Sequence, residues 1–239
     1  IPLFIHEQNS VPGLVNRILN KFSKLTFEAF PDSFNKSSKI HTVGNPVRSG
    51  IIKNPPTEAK KKEHFNILIL GGSQGSRQLN EIVLKAFKDK IIPSYWRIVH
   101  QSGDLDKSSI VDIYSKQSFS YEVVSYIEDI GRAYHESDLV VGRSGAMTVS
   151  EICCSSKPSI LFPLPWATDN HQYFNAKFLE DKKASILLES SLDNADRLFT
   201  LLNDLEKDHN ARHSMSLNAF DAFPVSSGNR IVEIINESF

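Results

Sequence analysis

Between residues 65 and 188 the chain alternates short apolar runs with segments of helical period, and few folds accept that alternation. The runs fall at 65–70, 96–99, 121–127, 139–141, 159–162 and 184–188. Most are too apolar to leave one face wet, so they predict six strands of a parallel sheet covered by helices on both sides, an α/β doubly wound architecture. From Leu192 onward the pattern reads as helices, with Pro224 breaking it before a last helix near 229–236.

The first fifty residues differ. A strand-like stretch at 1–5 leads to a helix whose apolar positions Leu14, Val15, Ile18, Leu19 and Phe22 keep the 3.6-residue period, a strand and helix with no sheet of their own to join. Segment 51–63, with Pro55-Pro56 and Lys60-Lys61-Lys62, has the composition of an exposed linker. The chain starts at Ile1 inside an apolar run, where an initiator methionine is expected, which predicts an upstream segment.

Composition excludes several classes. With 239 residues, 40% apolar and 23% charged, the chain can bury a substantial core. No apolar run approaches the ~18 to 20 residues that span a bilayer. Cys153 and Cys154 are adjacent, a spacing that suits neither an ordinary disulfide nor a zinc site, so they read as reduced packing residues. Residues 1–60 carry a net +4 and the remainder −5. That surplus is too small to predict a nucleic-acid partner; it fits an anionic lipid surface, a phosphate-bearing substrate or simply a solvated face.

Three strand-to-helix connections carry the chemistry. The first, Gly71-Gly72-Ser73-Gln74-Gly75-Ser76-Arg77, sets glycines and the Ser73 hydroxyl at a helix N-terminus, where free N–H groups and the helix dipole favour an anion. It is neither a P-loop nor a dinucleotide fingerprint, and a tight structural turn is the other reading. The second, Gly142-Arg143-Ser144-Gly145, opens a helix on which Thr148 and Glu151 share a face. There a carboxylate can accept both hydroxyls of a ribose, or sit on a solvated surface. The third, 163–172, offers Thr168 or Asp169 as helix cap and Asn170, Gln172 and Asn175 as amides suited to sugar hydroxyls; His171 is either catalytic or structural. In a parallel sheet all three connections meet at the carboxyl edge, so one crevice can hold a nucleotide-sugar. His6-Glu7-Gln8-Asn9 and the turn at 43–48, ending in the Arg48 guanidinium, can face that crevice from the first segment.

Read together, HEQN at 6–9, GNPVR at 44–48, GGSQGSRQLN at 71–80, HQSG at 100–103, YIEDI at 126–130, GRSGAMTVSE at 142–151 and PLPWATDNHQ at 163–172 with Asn175 resemble the MurG family. Members of that family move N-acetylglucosamine from uridine diphosphate (UDP) onto undecaprenyl-linked muramyl pentapeptide, the peptidoglycan precursor. The resemblance implies a glycosyltransferase B-type fold of two Rossmann-like domains. The first is truncated: 1–50 as its remnant, 51–63 as linker, 64–223 as the donor domain and 224–239 as a helix that can pack back on the first domain. It implies that Ser73 contacts the diphosphate, main chain at Ile127 meets uracil, and Ala146, Met147, Thr148, Val149 and Ser150 line the nucleotide pocket. Glu151 is implied to hold the ribose, Gln172 with Asn175 to read the sugar hydroxyls, and Asn9 and Arg48 to reach in from the other half. The implied reaction is inverting and uses no metal or cofactor. The favoured general base lies upstream of Ile1, so the chain itself is expected to bind donor without turning it over. The implied partners are UDP-N-acetylglucosamine, the lipid-linked acceptor and an anionic membrane at the cytoplasmic face of the bacterial plasma membrane; the basic helix region with Arg17, Lys21, Phe22 and Lys24 fits such a lipid surface and fits equally well burial of its apolar face against a sheet upstream. A nucleotide-sugar epimerase and a non-catalytic binding fragment are the alternatives. Ser155-Ser156-Lys157-Pro158 and Lys183-Ala184 lack glycines common in the family, which questions those two turns.

Overall fold

The computed structural model describes residues 1–52, 56, 63–72, 74–165, 170–224 and 226–239. Most of the segment read as a linker, Ser73 and the possible helix caps Thr168 and Asp169 lie outside the described residues. The chain opens with β1 (Phe4–Glu7), α1 (Leu14–Leu19), β2 (Leu25–Glu28) and β3 (Ile40–Thr42). These three strands pair in parallel in the order β1-β2-β3. The expectation of a strand and helix without a sheet is therefore corrected. Its cause is local: β2 and β3 are four and three residues long, and β2 buries Thr26 and Glu28 beside Phe27, so neither an apolar run nor a clean alternation marks them.

Next come β4 (Phe65–Leu70), α2 (Arg77–Phe87), β5 (Trp96–Gln101), α3 (Lys107–Tyr114), β6 (Ser120–Val124), α4 (Ile130–Glu136) and β7 (Leu139–Gly142). After them follow α5 (Ala146–Cys154), β8 (Ser159–Leu161), α6 (His171–Asp181), β9 (Ser185–Leu187), α7 (Ala195–Lys207), α8 (His209–Ala222) and α9 (Ser227–Glu237). Among the described residues β4–β9 form a six-stranded, all-parallel sheet in the order β6-β5-β4-β7-β8-β9. Both faces are covered, which is why its strands read as continuous apolar runs. Ile67 and Ile69 of β4 join one core with α2, α3 and α7, while Leu68 and Leu70 join the other with α5 and α6.

Strand order places the site. From β4 the chain winds outward through β5 and β6, then returns to the other side of β4 as β7. The connections leaving β4 and β7 diverge at that switch point and open a crevice at the carboxyl edge. The turns after β4 and β5 pack backbone to backbone at Gly75 and Gly103: at φ +77°, a Cβ on Gly75 would lie 2.3 Å from the Ser102 carbonyl oxygen, so no side chain fits.

The small sheet is fixed to the large one. Phe30, just after β2, stacks edge-on against Phe178 and Phe223 with centroids 5.1 Å away in both pairs. Helix α9 packs on the small sheet through Ile234 against Phe27 and Val43. The two turns that lack glycine keep their geometry. Ser156 and Lys183 both take φ +56°, and the following N–H groups of Lys157 and Ala184 reach back to the carbonyls of Ile152 and Leu179. Each helix thus ends in a Schellman turn on a residue with a side chain.

Candidate functional site

A cavity of about 470 Å³ lies between the small sheet and the switch point, lined by Gln8, Asn9 and Arg48 from one side and by Leu70, Gly72, Gln101, Tyr126, Ile127, Ile130, Gly145, Ala146, Met147, Thr148 and Glu151 from the other. Its floor is the start of α5. Gly145 caps that helix without a side-chain hydrogen bond, so first-turn N–H groups, which have no acceptor within a helix, point to the cavity as an anion site. A glycine at the cap leaves nothing between them and a ligand.

One turn along α5, Glu151 brings a carboxylate to the same cavity. Tyr134 Oη donates to its Oε2 at 3.1 Å. Burial pushes the Glu151 carboxyl above its usual pKa, while the Tyr134 bond and the Arg48 charge pull it back down. At the far end Gln101 joins two walls: its Oε1 accepts from the Ile127 N–H at 3.4 Å and its Nε2 donates to the Gly72 carbonyl at 2.6 Å. Anion-seeking amides, a carboxylate able to accept a diol, and a main-chain edge at Ile127 thus follow one another along one cavity.

The side facing α5 is shaped by Glu7. Buried at 3% exposure, it accepts from the N–H groups of Asn9 and Gly13 and from Asn16 Nδ2, at 2.9, 3.0 and 2.9 Å. Those bonds fold the 8–13 loop so that Gln8 and Asn9 line the cavity. Both also line a neighbouring cavity of about 380 Å³, together with His6, Glu7, Val11, Gly13, Asn16 and His171.

Several expected site residues are placed elsewhere. Val149 is fully buried in the core beneath α5. Ser150 is also buried; its hydroxyl donates to the Ala146 carbonyl and accepts from Asn45 Nδ2 at 2.9 Å, a bond that crosses to the small sheet. Asn175 has no exposed surface: its Oδ1 accepts from Ser10 N–H and Oγ–H at 3.0 and 2.8 Å, and its Nδ2 donates to Asn9 Oδ1 and the Ser144 carbonyl at 3.2 Å each. Gln172 Oε1 accepts from the Leu164 N–H, bracing the loop after β8, and neither cavity includes it among its lining residues. The structure therefore brings Asn9, Arg48, Ile127, Ala146, Met147, Thr148 and Glu151 together, and uses Ser150 and Asn175 to join the two sheets around them.

Sequence reasoning gave no role to Arg143, although it directly follows the fully buried strand β7. Only 6% exposed, it donates to Ser76 Oγ, Gln78 Oε1, Ser190 Oγ and the carbonyls of Phe162 and Pro163. None of these acceptors is a carboxylate, and burial pushes the guanidinium pKa down to about 10, so it stays charged at neutral pH. It ties the ends of β7 and β8 to the start of α2 behind the cavity. A charge placed immediately after an apolar strand was the available signal.

Parallel strands in this order, with a nucleotide-sized cavity at the switch point, define a Rossmann-like domain, and its likeness to MurG makes it one of the glycosyltransferase B type. The glycosyltransferase family 28 C-terminal domain matches residues 66–231. The chain is 40% identical over 222 residues to the UDP-N-acetylglucosamine--N-acetylmuramyl-(pentapeptide) pyrophosphoryl-undecaprenol N-acetylglucosamine transferase of Coxiella burnetii, covering 91% of this chain and 62% of that protein. It superposes on the crystal structure of Acinetobacter baumannii MurG with a TM-score of 0.84 and 31% identity, covering 99% of this chain and 67% of that one. The UDP-GlcNAc 2-epimerase of Neisseria meningitidis, solved with UDP-GlcNAc, shares the fold at 14% identity and a TM-score of 0.64, covering 99% of this chain and 70% of that one. The chain belongs to glycosyltransferase family 28 and, within it, to the MurG family.

Proposed function

We propose that the cavity holds the uridine diphosphate end of UDP-N-acetylglucosamine, and that the full-length protein transfers the sugar to undecaprenyl-pyrophosphoryl muramyl pentapeptide. The observation that carries this reading is the convergence of the open α5 N-terminus and Glu151 on one cavity faced by Arg48. In the proposed pose the diphosphate lies against the first turn of α5, the ribose hydroxyls donate to Glu151, and uracil pairs with main chain at Ile127. The acceptor hydroxyl attacks the anomeric carbon and gives its proton to a general base of the full-length protein, the bond to the diphosphate oxygen breaks, and negative charge grows on the departing UDP. Preoriented N–H groups and the Arg48 guanidinium stabilise that charge where it develops. The Coxiella burnetii relative's name specifies this donor sugar and this acceptor.

Since the chain spans 62% of that relative's length, it is expected to bind donor without transferring it. Full-length protein given labelled donor and lipid-linked acceptor tests the reading. Label in the lipid fraction supports it; an altered free sugar would point to an epimerase, and binding without either product to a non-catalytic module.

We also assign α1 to a peripheral contact with anionic membrane at the cytoplasmic face. None of its residues is buried; Leu14, Val15 and Ile18, with Phe22 just beyond, expose 63%, 67%, 51% and 73% of their surface beside Lys21. Lys24 instead lies over the Phe239 ring, 4.7 Å from its centroid, and bonds the Ser238 carbonyl. Among the described residues no helix is long and apolar enough to cross a membrane. Salt-sensitive sedimentation with phosphatidylglycerol vesicles, lost on Lys21→Glu with Phe22→Ser, is expected; binding unchanged by the double substitution would refute the assignment.

A further inference from the structure

Helix α4 reaches the site once at the cavity wall and once through Glu151. Ile130, its first residue, lines the base end beside Ile127, and Tyr134, one turn further, meets Glu151 from behind. The Tyr134 ring has no exposed surface and packs in the same core as Val149, Ile152 and Cys153 of α5. Its hydroxyl donates to Glu151 Oε2, and among the described residues Glu151 Oε1 has no hydrogen-bond partner.

The geometry points to Tyr134 as a positioning residue for ribose recognition: its phenol fixes the Glu151 carboxylate so that Oε1 is presented to the ribose hydroxyls. The inference rests on the reading that the cavity holds a uridine nucleotide. Three physical points support it. A glutamate has three side-chain torsions, and on a half-buried helix face only a bond to the distal carboxylate sets the last of them; holding an acceptor in place before the ligand arrives avoids that entropy loss on binding. The donor belongs to a neutral group that stays neutral, because burial and the nearby carboxylate both push the Tyr134 hydroxyl well above its usual pKa. It therefore helps to hold the partly buried carboxylate ionised, as Arg48 does from the other side. Finally, the bond joins the helix that opens at the base end to the helix whose N-terminus meets the phosphates, so both ends of the nucleotide are referred to one rigid pair.

Tyr134→Phe removes one oxygen and keeps the ring in the core. The test is titration calorimetry of wild type and variant with UDP and with 2′,3′-dideoxy-UDP. The expected result is about a tenfold weaker Kd for UDP in the variant, equivalent to ~1.4 kcal/mol, with Kd for the dideoxy nucleotide unchanged. Equal weakening for both nucleotides would assign Tyr134 a general structural role and overturn the inference, as would no weakening for either. Wild type that binds neither nucleotide would overturn the nucleotide reading itself. If the variant lacks a cooperative melting transition, Tyr134→Met takes its place, since it also removes the hydroxyl, fills part of the ring's volume in the core and leaves Glu151 unchanged. The same selective loss for UDP is expected, and equal weakening of both nucleotides again overturns the inference.

Discussion

Replacing Asn175 separates two accounts of the same residue. As a reader of the donor sugar it would contact N-acetylglucosamine and contribute little to the fold. As the structure has it, all four of its hydrogen bonds are spent on Ser10, Asn9 and Ser144 with no surface exposed, so it joins the 8–10 loop to the ends of β7 and α6. Asn175→Ala leaves the Ser10 N–H and the Ser144 carbonyl without their side-chain partner. At about 1–3 kcal/mol for each of the two orphaned buried groups, the loss comes to roughly 2–6 kcal/mol. That is a large fraction of the ~5–15 kcal/mol that holds a domain folded. With a urea m-value of about 2–3 kcal/mol/M the midpoint falls by roughly 1 M or more. Because Asn9 lines the cavity, loosening its loop weakens UDP and UDP-N-acetylglucosamine by the same factor. Urea unfolding followed by far-UV circular dichroism, with calorimetric titration of both nucleotides, checks this. An unchanged midpoint together with a loss confined to the sugar nucleotide would refute the reasoning and restore the sugar-reading role.

Three further outcomes are expected. His100 is fully buried, its Nε2–H donating to Asn80 Oδ1 and its Nδ1 accepting from Tyr114 Oη; burial lowers its pKa to about 3. The unfolded imidazole, near its usual 6.5, binds a proton that the folded one refuses, so stability falls as pH drops from 6.5 toward 3. By pH 5 the loss is about 2 kcal/mol; urea midpoints at pH 8 and 5 should differ less in His100→Gln, and an identical pH slope would contradict this. Ser156→Gly and Lys183→Gly remove the Cβ from left-handed positions and should each add about 1 kcal/mol, additively, in thermal melts; a loss at either site would argue against the Schellman turns. Arg143→Met leaves the buried Phe162 carbonyl without its donor, while the Pro163 carbonyl keeps the Ser190 hydroxyl, and should cost about 2 kcal/mol in urea unfolding, and a cost below ~1 kcal/mol would show that the guanidinium is not a tie.

What could be read from the residues follows from how each signal is encoded. Strands β4, β7 and β8 are buried on both faces, and burial of that kind writes itself as an unbroken apolar run. Helix α5 and its glycine cap are local features, so the anion-favouring turn and Glu151 one turn along were legible together. Strands β2 and β3 were not: each is short, and Glu28 is buried at 3% exposure because it accepts from Thr42 Oγ1 and from the N–H groups of Asp32 and Phe34. A buried carboxylate satisfied by long-range partners looks like surface in the sequence. The same limit explains Asn175 and Ser150. An amide suited to sugar hydroxyls is equally suited to serine hydroxyls and backbone, and only the approach of the 8–10 loop, more than 160 residues earlier in the chain, decides which it meets. Tyr134 was hidden for the opposite reason, since an aromatic residue inside a helical pattern reads as core, which it is, while its single polar atom does the positioning. The two turns without glycine formed regardless, because Ser156 and Lys183 accept the left-handed cost in exchange for the helix-ending bonds at Ile152 and Leu179.

A crystal structure of this chain grown with UDP would decide whether the crevice between the small sheet and the start of α5 is the nucleotide site. The expected density sets the diphosphate against the first turn of α5, the ribose hydroxyls on Glu151 and the uracil edge on main chain at Ile127. UDP bound outside that cavity, or bound within it with its base at α5 and its phosphates at Ile127, would contradict the assignment.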